Sequence, residues 1–560
     1  MRAASGAAWP VRRNPGSLDL AARWGRHRED LGAAALGFLR EQVGVAAPWP
    51  LADPEGWRVR ESALTPDDID ELRGIVDEDG VLLDSASRIA WTGGASYADY
   101  AARRDGGIAV GGEAGDVPDA VVLPRSHDEV GALLAACRRR RLAVVPFGGG
   151  TSVVGGLAAH GRRIAIAMDL MSSLIRVDAV SCLATVEAGI TGPRLEPLLA
   201  ARGLTLGHFP QSWQRASIGG YVATRSSGQA STGYGRVEDM VESLRVATPE
   251  GTLELGRGPA SAAGPDLRGL LVGSEGALGI ITEVTLRVRR LPTESRYEGV
   301  MFPDFAAGCA AFRDLAQGRA SADVMRLSDE AETAVTLAMS GPRGVTGAAF
   351  GRYLDARGVA GGSLAILGWE GTDGDQVADR RAAAWRVMKR HGAVSLGRRV
   401  GRSWRRGRFH GPFLRDTLLD LGYLVETVET AAHWSGLADL HAAVSGSLRS
   451  SLGPRPGPYV MSHVSHVYET GASLYTTVIA VADRADPVGQ WHRAKRDVSE
   501  AIVSRGATIT HHHAVGRDHA PWLAQEIGVL GVGVIAAVKA RLDPDGIMNP
   551  GVLLPPADPR

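Results

Sequence analysis

Residues Pro146 to Gly156 read PFGGGTSVVGG, and the rest of the chain is best understood from this stretch. Five of its eleven residues are glycine, and it follows the apolar run Leu142 to Val145. Glycine tolerates positive φ and a close neighbour, and successive N–H groups in such a turn can bind an anion. Thr151 and Ser152 add hydroxyl donors. Two interpretations stay open: a loop that cradles a phosphate or pyrophosphate, or a glycine-rich connection without a ligand.

Two familiar phosphate loops do not match this stretch. A P-loop needs G-x-x-x-x-G-K-[ST], and the stretch contains no lysine. A Rossmann fingerprint opens a helix, whereas Val153, Val154, Gly155 and Gly156 are poor helix formers. A dinucleotide bound here would therefore belong to another fold.

Length and composition bound the class of protein. A chain of 560 residues is too long for one hydrophobic core, so two or three domains are expected. Lys+Arg and Asp+Glu both number 62, and the formal net charge of zero indicates neither a nucleic acid nor an anionic membrane as partner. Cys137, Cys182 and Cys309 are far apart without metal-ligand spacing, which predicts a reducing compartment without disulfides.

The stretch from Gly528 to Ala540 is the longest apolar candidate for a membrane helix. It is too short to span a bilayer and ends at Lys539 and Arg541, so a buried helix is expected. Arg12 and Arg13 form a twin-Arg pair without a following apolar region, so no export signal is expected. These observations predict no transmembrane segment and a cytoplasmic location, with peripheral membrane contact left open.

Two further small-residue loops follow the first in a region of alternating strands and helices. Residues 208–220 read HFPQSWQRASIGG, and residues 273–279 read GSEGALG before the apolar strand predicted at Ile280 to Val288. Each of the three loops lies next to a predicted strand. The simplest interpretation is one extended ligand bound along several loops.

Strands and long helices alternate again after Pro292, which predicts a second α+β domain. Ala507 to His511 is predicted as a strand that ends in three consecutive histidines. Because side chains alternate along a strand, at most two of them face one site, and this run alone does not predict a metal site. The basic run Arg398 to Arg408 is either a surface for phospholipid or a solvated mobile loop.

These loops, in this order, resemble the flavin-binding domain of the vanillyl-alcohol-oxidase flavoprotein superfamily. The C-terminal half resembles its alkyldihydroxyacetonephosphate synthase branch, through VMRLSD at 324–329, HVSHVYETGASLY at 463–475, HHHAVG at 511–516 and LDPDGIMNPG at 542–551. The resemblance implies an α+β fold with three parts. These are a helical N-terminal extension (1–115), a two-subdomain PCMH-type FAD-binding domain (116–293) and a C-terminal substrate or cap domain of the FAD-linked oxidase type (294–560).

The resemblance also implies FAD, with its pyrophosphate on the first glycine loop. Thr151 occupies the place where histidyl-flavin relatives carry histidine, so the flavin is expected to be non-covalent. The cofactor-binding residues expected from motif position are Pro146, Phe147, Gly148, Gly149, Gly150, Thr151, Ser152, Val153, Gln211, Ser212, Ser217, Gly219, Gly220, Thr224, Arg225, Ser226, Ser227, Glu275, Gly276, Ala277, Leu278, Gly279, Ile280 and Ile281.

The reaction implied by this branch is an exchange without net redox change. A base removes a proton from the carbon that bears the acyl ester of acyl-dihydroxyacetone phosphate, the fatty acid leaves, and a fatty alcohol takes its place. Tyr475 matches the proton-abstracting tyrosine of the family. Because a free tyrosine has a pKa of about 10, Tyr475 needs a cationic neighbour to act near neutral pH. The other expected catalytic residues are His208, His511, His512 and His513.

Two arginines match substrate-binding arginines of the family. Arg326 is expected at an anionic group of the substrate or at the departing carboxylate, and Arg415 at the phosphate. Without the resemblance, each would be interpreted as part of a surface salt bridge. Gln214 and Arg215 stand where the family usually carries an acidic and an aromatic residue, which leaves the substrate in doubt.

Three function classes follow. The first is an alkyldihydroxyacetonephosphate synthase-like transferase of ether-lipid synthesis. The second is an FAD-linked oxidase or dehydrogenase of a hydroxy acid or alcohol, and the third is a non-catalytic flavin-binding protein. The fold does not decide between them. The expected partners are a small-molecule or lipid-like substrate and a second copy of the chain in a homodimer, with no nucleic acid.

Overall fold

A computed structural model of the protein describes residues 31–51, 59–104, 117–157, 161–342, 344–453 and 456–554. The N-terminal extension is not wholly helical. The Thr65 hydroxyl accepts from the Asp68 N–H while the Asp68 carboxylate accepts from the Thr65 N–H, so the second helix begins with a capping box. The elements of this segment are α1 (Ala33–Gln42), α2 (Pro66–Val76), β1 (Val81–Leu82), α3 (Ser85–Ala90) and α4 (Tyr97–Arg104).

The following segment forms two small sheets with the helices that cover them. Its elements are β2 (Ala120–Val122), α5 (His127–Arg140), β3 (Ala143–Phe147), β4 (Arg163–Ala167), β5 (Leu174–Asp178), β6 (Leu183–Glu187), α6 (Gly192–Ala200), β7 (Leu204–Thr205), α7 (Ile218–Ala223), α8 (Ser231–Tyr234), α9 (Val237–Met240), β8 (Val241–Thr248), β9 (Gly251–Leu255), α10 (Arg268–Leu271) and β10 (Ile280–Arg287).

The first sheet has the order β1-β2-β4-β3, with β2, β4 and β3 parallel and β1 antiparallel at the edge. Its strands are almost entirely buried, as expected of a parallel sheet. The second sheet is antiparallel, in the order β5-β6-β10-β8-β9. The strands β8 and β9 form a hairpin, and Ser126 is the N-cap of α5.

The C-terminal segment is built on a third, larger sheet. Its elements are β11 (Arg289–Arg290), β12 (Glu294–Phe302), α11 (Phe305–Gln317), β13 (Val324–Ser328), α12 (Glu330–Ser340), α13 (Gly344–Ala356), β14 (Ser363–Gly371), α14 (Gly374–Lys389), β15 (Val394–Leu396), α15 (Gly397–Gly407), α16 (Gly411–Asp420), β16 (Tyr423–His433), α17 (Leu437–Ser451), β17 (Tyr459–Val467), β18 (Gly471–Val481), α18 (Pro487–Val503) and α19 (Leu523–Leu542).

This antiparallel sheet has the order β15-β12-β14-β13-β17-β18-β16. One face packs on α11, α14, α17 and α18 in the largest hydrophobic core of the molecule. Side chains alternate along a strand, so the other face presents a second set of residues, which lines a cavity. On β17 this set includes Tyr459, Met461 and His463, and on β18 Tyr475 and Thr477. The predicted α+β architecture is confirmed, and the sheet positions the predicted tyrosine.

The C-terminal end of the described chain returns to the first sheet. Val144 donates its N–H to the Ile547 carbonyl and accepts from the Asn549 N–H, at 2.8 Å each, in a parallel bridge beside β3. Residues distant in sequence therefore complete the sheet that carries the first glycine loop.

Two predicted elements are wrong. Ala507 to His511 is not a strand, because only Thr508 makes a bridge, to Ala431, and the chain then bends through the histidines. The stretch from Gly528 to Ala540 is helical but not buried. One side of α19 packs on other segments through Leu523, Val532, Ile535, Val538 and Leu542, while Val529 and Leu530 are 80% and 83% exposed.

The exposed helix and the turn before it have the length and apolar composition of a membrane span. Residues Ala520–Leu542 are long and apolar enough to cross a membrane, with a mean hydropathy of 1.6 in a window that is only 6% buried. Length and composition alone support this, and Gly528, with φ 77° and ψ 158°, interrupts the helical conformation. A single helix of this kind is weak evidence for a span.

Candidate active site

A cavity of about 2550 Å³ lies between the three small-residue loops and the exposed face of the large sheet. This volume exceeds the roughly 300–1,000 Å³ of an ordinary ligand pocket. The space is therefore large enough for a dinucleotide and a second ligand together. Of the residues predicted from the sequence, the cavity is lined by Pro146 to Val153, Gln211, Ser212, Ser217, Gly219, Gly220, Thr224, Ser226, Ser227, Glu275, Gly276, Gly279, Ile280, Ile281, Arg326, Arg415, Tyr475, His512 and His513.

The first glycine loop leaves β3 and lies against the second loop. A Cβ on Gly149 would lie 2.2 Å from the Arg215 carbonyl oxygen, so only glycine fits at this approach. Gly150 follows with φ 61°. Part of the glycine content is therefore explained by contact between loops.

The same loop also offers free donors. Within the described chain, the backbone N–H groups of Gly149, Gly150, Thr151 and Ser152 donate to no protein acceptor, although they lie on the cavity wall. Buried backbone donors are nearly always satisfied. A row of unsatisfied N–H groups in a positive-φ turn fits the pyrophosphate of FAD, so the residues present suit the expected cofactor.

The second loop and the segment that follows it add polar atoms that lack partners among the described residues. The Ser227 hydroxyl, the Trp213 indole Nε1 and the Gln229 side-chain oxygen are buried without a hydrogen-bond partner in the described structure. Each lies on a residue that lines the cavity. Buried polar groups without partners indicate a place where a ligand supplies them.

The third loop is tied to the histidine run by Glu275. This residue is only 7% exposed, and its carboxylate accepts from the N–H groups of Val515 and Gly516 at 2.9 to 3.0 Å. The Asn549 amide donates to the carbonyls of Glu275 and Gly156. Two glycine loops, the histidine run and the C-terminal segment therefore meet at one point.

A second buried carboxylate holds the other end of the histidine run. Glu429 on β16 is 1% exposed and accepts from the N–H groups of His511, His512 and His513 at 2.7 to 3.0 Å, and from the Thr510 hydroxyl at 2.6 Å. Burial alone would raise the pKa of Glu429. The adjacent His512 and the other histidines hold that pKa well below its ordinary value.

Glu429 explains why the predicted strand is absent. Three successive N–H groups converge on one carboxylate, and this cannot occur in an extended strand, where they alternate in direction. His512 and His513 both line the cavity, whereas His511 lies behind them. The Nε2 of His511 forms a hydrogen bond of 2.7 Å with the Tyr468 hydroxyl.

Tyr475 lies on the cavity wall between histidines. Its ring stacks on His463 with 4.9 Å between centroids and meets His513 edge-on at 5.6 Å. Burial raises the pKa of Tyr475 to about 12, while the Thr427 hydroxyl and the charge of Arg415 act in the opposite direction. Arg415 is a cation that acts on Tyr475, whereas burial lowers the pKa values of His511 and His513 and keeps these two rings neutral.

The two predicted arginines differ in how their charge is compensated. Arg326 is paired with Glu332 at 2.9 Å and contacts His463 at 3.0 Å. Burial would raise the pKa of Glu332, but Arg326 and His463 lower it to about 2, so this carboxylate is ionised beside the arginine. The charge of Arg326 is therefore largely neutralised within the protein.

Arg415 has no carboxylate within hydrogen-bond distance among the described residues. It donates to the Ala95 carbonyl at 2.7 Å and lies 4.6 Å from the Tyr100 ring centroid, but its Nε has no acceptor in the described structure. The adjacent carboxylate, Asp416, lies 3.9 Å from that Nε. Arg415 is therefore the stronger candidate for holding an anion.

Several predicted residues lie behind the described cavity wall. His208 is buried with its Nε2 2.8 Å from the Ser226 hydroxyl, and burial lowers its pKa to about 3. Arg225 donates to the carbonyls of Val272 and Gly269. Lys539 donates to the Ala277 carbonyl, and Leu278 belongs to a hydrophobic core. These side chains support the wall from behind.

Part of the wall is apolar. Residues of α1 and α16 face the inner strands of the large sheet, and the apolar wall is formed by Leu31, Phe38, Leu39, Val43, Leu414, Leu418, Val425, Met461 and Ile479. A second apolar stretch includes Phe350, Leu364, Ile366, Val400 and Trp404. Such a lining suits long hydrocarbon chains.

Sequence reasoning missed Glu429, Glu426 and His466 as parts of the site. Glu426 and Glu429 lie in β16 among apolar residues, and a charged residue in such a run is itself a signal. The basic run left open as a phospholipid surface or a mobile loop is helix α15, whose Trp404 stacks on Tyr297 and whose Arg399 and Arg406 line the cavity.

Comparison with known proteins agrees with this geometry. Residues 118–256 match the FAD binding domain family, and residues 291–553 match the FAD linked oxidases, C-terminal domain family. FAD is therefore the cofactor, and the protein is a flavoenzyme of this class. The first range falls inside the predicted division 116–293, and the second begins three residues before the predicted division 294–560; these divisions stay a proposal.

Individual proteins of these families show which FAD-linked enzymes the chain resembles. The chain is 32% identical over 502 residues to alkyldihydroxyacetonephosphate synthase of Trypanosoma brucei brucei, covering 87% of this chain and 80% of that protein. It is 28% identical to the uncharacterized FAD-linked oxidoreductase YgcU of Escherichia coli (strain K12), covering 78% and 89%. A solved alkyldihydroxyacetonephosphate synthase superposes with a TM-score of 0.79 at 29% identity, covering 92% of each chain.

The junction at Glu275 generates a stability prediction. In a Glu275→Ala variant the N–H groups of Val515 and Gly516 lose their acceptor, at about 1–3 kcal/mol for each buried donor. The free energy of unfolding should fall by about 2–5 kcal/mol in chemical denaturation. The matched control is Glu283→Ala, whose carboxylate binds only the half-exposed Arg245, and it should change by less than about 1 kcal/mol. Equal losses would contradict the role of Glu275.

The same residue has a pH signature. Burial raises the pKa of Glu275 to about 7, above its ordinary 4.5, so the folded protein retains a proton that the unfolded chain releases between these values. Stability therefore decreases as pH rises through this window. The Glu275→Gln variant stays neutral, and its unfolding free energy should lack this part of the slope.

Proposed function

The chain belongs to the alkyldihydroxyacetonephosphate synthase family of FAD-linked flavoproteins, and on this premise we propose that it exchanges the acyl group of acyl-dihydroxyacetone phosphate for a fatty alcohol. The product is an ether lipid precursor. The observation that carries the proposal is the cavity itself, in which Tyr475 and Arg415, whose Nε lacks an acceptor among the described residues, share one space with an apolar wall. This combination suits a substrate with an anionic head and a long hydrocarbon chain.

Tyr475 is the proposed base. Its phenolate oxygen takes the proton from the carbon that bears the acyl ester and becomes the hydroxyl, and the Arg415 charge stabilises this phenolate form. Arg415 also holds the phosphate, and Arg326, fixed by Glu332, orients the departing carboxylate. The neutral His513 and the adjacent His512 border the reacting region as hydrogen-bonding groups, and His208 supports the wall from behind.

The cofactor is held by the loops described above. When bound, FAD supplies a ring that can accept and return electrons during the exchange. The free N–H groups of Gly149 to Ser152 suit the pyrophosphate, and the unpartnered Ser227 and Trp213 suit the remainder. We propose non-covalent binding, because the loop from Pro146 to Val153 contains no histidine.

A second candidate is an FAD-linked oxidase or dehydrogenase of a hydroxy acid or alcohol. The similarity to an FAD-linked oxidoreductase over 78% of the chain favours it. The same tyrosine and histidines could serve a substrate oxidation. The two candidates differ in whether the flavin changes its redox state.

One experiment separates these candidates. Purified protein should release its flavin on acid precipitation and should convert palmitoyl-dihydroxyacetone phosphate and hexadecanol into the alkyl ether with release of palmitate, measured by mass spectrometry. Anaerobic addition of either substrate should leave the flavin oxidised at the end of turnover. Stoichiometric bleaching of the flavin by a 2-hydroxy acid, without ether formation, would favour the oxidoreductase.

The base generates a mutational prediction. Tyr475→Phe should lower kcat by about 10²–10⁴-fold without loss of bound flavin, because only the proton acceptor is removed.

Arg415→Met should move the rise of kcat with pH to higher pH, since the pKa of Tyr475 increases further when the nearby charge is lost. The control Tyr353→Phe, at an exposed tyrosine, should match the wild type. An unshifted profile in Arg415→Met would argue against this role.

We also propose that the enzyme is a cytoplasmic homodimer with peripheral contact to membranes. The exposed apolar side chains of α19 support an association of this kind, and the three free cysteines are consistent with a reducing compartment. Sedimentation velocity should give a dimer, and the protein should co-sediment with phospholipid vesicles. A monomer would contradict the proposed dimer, and protein that stays in the supernatant would contradict the proposed membrane contact.

A further inference from the structure

A second chemical feature of the cavity wall is a cluster of three imidazoles. His466 on β17 lies beside His511 and His512, and one ring nitrogen from each lies within 4.8 Å of the other two. The rings of His466 and His511 are stacked with 5.2 Å between centroids, and those of His511 and His512 are edge-on at 5.3 Å. Two of the three ligands come from the run at 511–513, and the third comes from the large sheet.

The nitrogens of this cluster point toward one another. His511 Nδ1 and His512 Nδ1 are 3.0 Å apart. This is close to the separation of about 3.3 Å that two nitrogens have when each lies about 2.05 Å from one tetrahedral ion. His466 Nδ1 is buried, in a residue only 5% exposed, and has no hydrogen-bond partner in the described structure. His466 therefore combines a ring nitrogen within 4.8 Å of the pair with a buried Nδ1 that has no partner among the described residues, beside a pair that already has the spacing of metal ligands.

The surroundings fix the rings in this arrangement. The Tyr468 hydroxyl forms a hydrogen bond of 2.7 Å with the Nε2 of His511, so the Nδ1 of this ring is the nitrogen that can bind a metal ion. Glu429 anchors the backbone of both His511 and His512, and the Ser473 hydroxyl accepts from the His466 N–H at 3.1 Å. The bond from Tyr468 gives His511 the partner on the second ring nitrogen that is characteristic of metal-binding histidines.

We propose that His466, His511 and His512 form a binding site for one divalent transition-metal ion of the Zn²⁺ class. Three imidazoles suit Zn²⁺, Cu²⁺ or Ni²⁺ rather than the oxygen-preferring Mg²⁺ or Ca²⁺. His466 and His512 line the cavity, so the fourth position of the ion is open to it. The guanidinium of Arg236, which donates to the His511 carbonyl at 2.6 Å, weakens the attraction for a cation without blocking the nitrogens.

The site has a functional consequence that rests on the proposed function. An ion bound to His512 would remove that side chain from the region beside Tyr475, so metal occupancy should inhibit turnover. Metal binding itself does not depend on the reaction, and it can be measured on protein that is never given substrate. Failure of the proposed function and failure of the metal site are therefore distinguishable.

The test is a titration of the purified, flavin-containing protein with Co²⁺, followed by displacement with Zn²⁺. The expected result is one Co²⁺ per chain with the intense visible bands of a tetrahedral site, beyond the flavin absorption. His466→Ala should weaken binding at least tenfold. His513→Ala, a histidine of the same run outside the cluster, should change it by less than about twofold, as should His433→Ala at an exposed position.

A second measurement needs no variant. Electron paramagnetic resonance of Cu²⁺ bound to the unmodified protein should show coupling to three imidazole nitrogens. Flavin content and far-UV circular dichroism identify any variant that fails to fold, and His512→Gln then replaces His466→Ala. Absence of saturable binding, equal affinity in these variants, or coupling to fewer than two nitrogens would overturn the proposal.

Discussion

Two buried carboxylates hold the loop 510–516 from opposite sides, and the active-site arrangement depends on them. The Glu429 carboxylate accepts hydrogen bonds from the N–H groups of His511 to His513, and the Glu275 carboxylate accepts them from Val515 and Gly516. A loop of this kind cannot satisfy its backbone donors with a ladder, so buried side chains must do so. The two carboxylates differ in state, because Glu429 has a depressed pKa and Glu275 a raised one.

These carboxylates also join the two halves of the molecule. Glu275 belongs to the third small-residue loop and Glu429 to the large sheet, so the histidines are positioned by both at once. Asn549 connects the carbonyls of Gly156 and Glu275, and Lys539 donates to the carbonyls of Ala277 and Met548. A shift of the cofactor loops would therefore be transmitted directly to His512 and His513.

Much of the fold could be predicted from local patterns, and the failures have physical causes. The capped helix α5, the β8–β9 hairpin and the glycine loop rest on short-range signals such as N-caps and turn residues, which sequence shows directly. The run at 507–513 looked like a strand because its residues favour strands, but the partner that bends it, Glu429, lies about eighty residues away. The apolar composition of α19 predicted burial, yet nothing in its own sequence states how many neighbours cover it.

In the active site, too, the sequence motifs identify the residues but do not show their surroundings. Motifs located Tyr475, Arg326 and Arg415, but their charge states follow from contacts across the fold. Glu332, which neutralises Arg326, lies six residues along the chain and would be found only by knowing that α12 turns back on β13. Arg415 has Asp416 as its sequence neighbour, but their charged groups are 3.9 Å apart, and the Arg415 Nε has no acceptor among the described residues. Arg326 already donates to Glu332 at 2.9 Å, so an arriving anion finds a free donor at Arg415 rather than at Arg326. Two arginines that are equivalent in a motif are therefore unequal in the folded protein, and the difference favours Arg415 as the site of the phosphate.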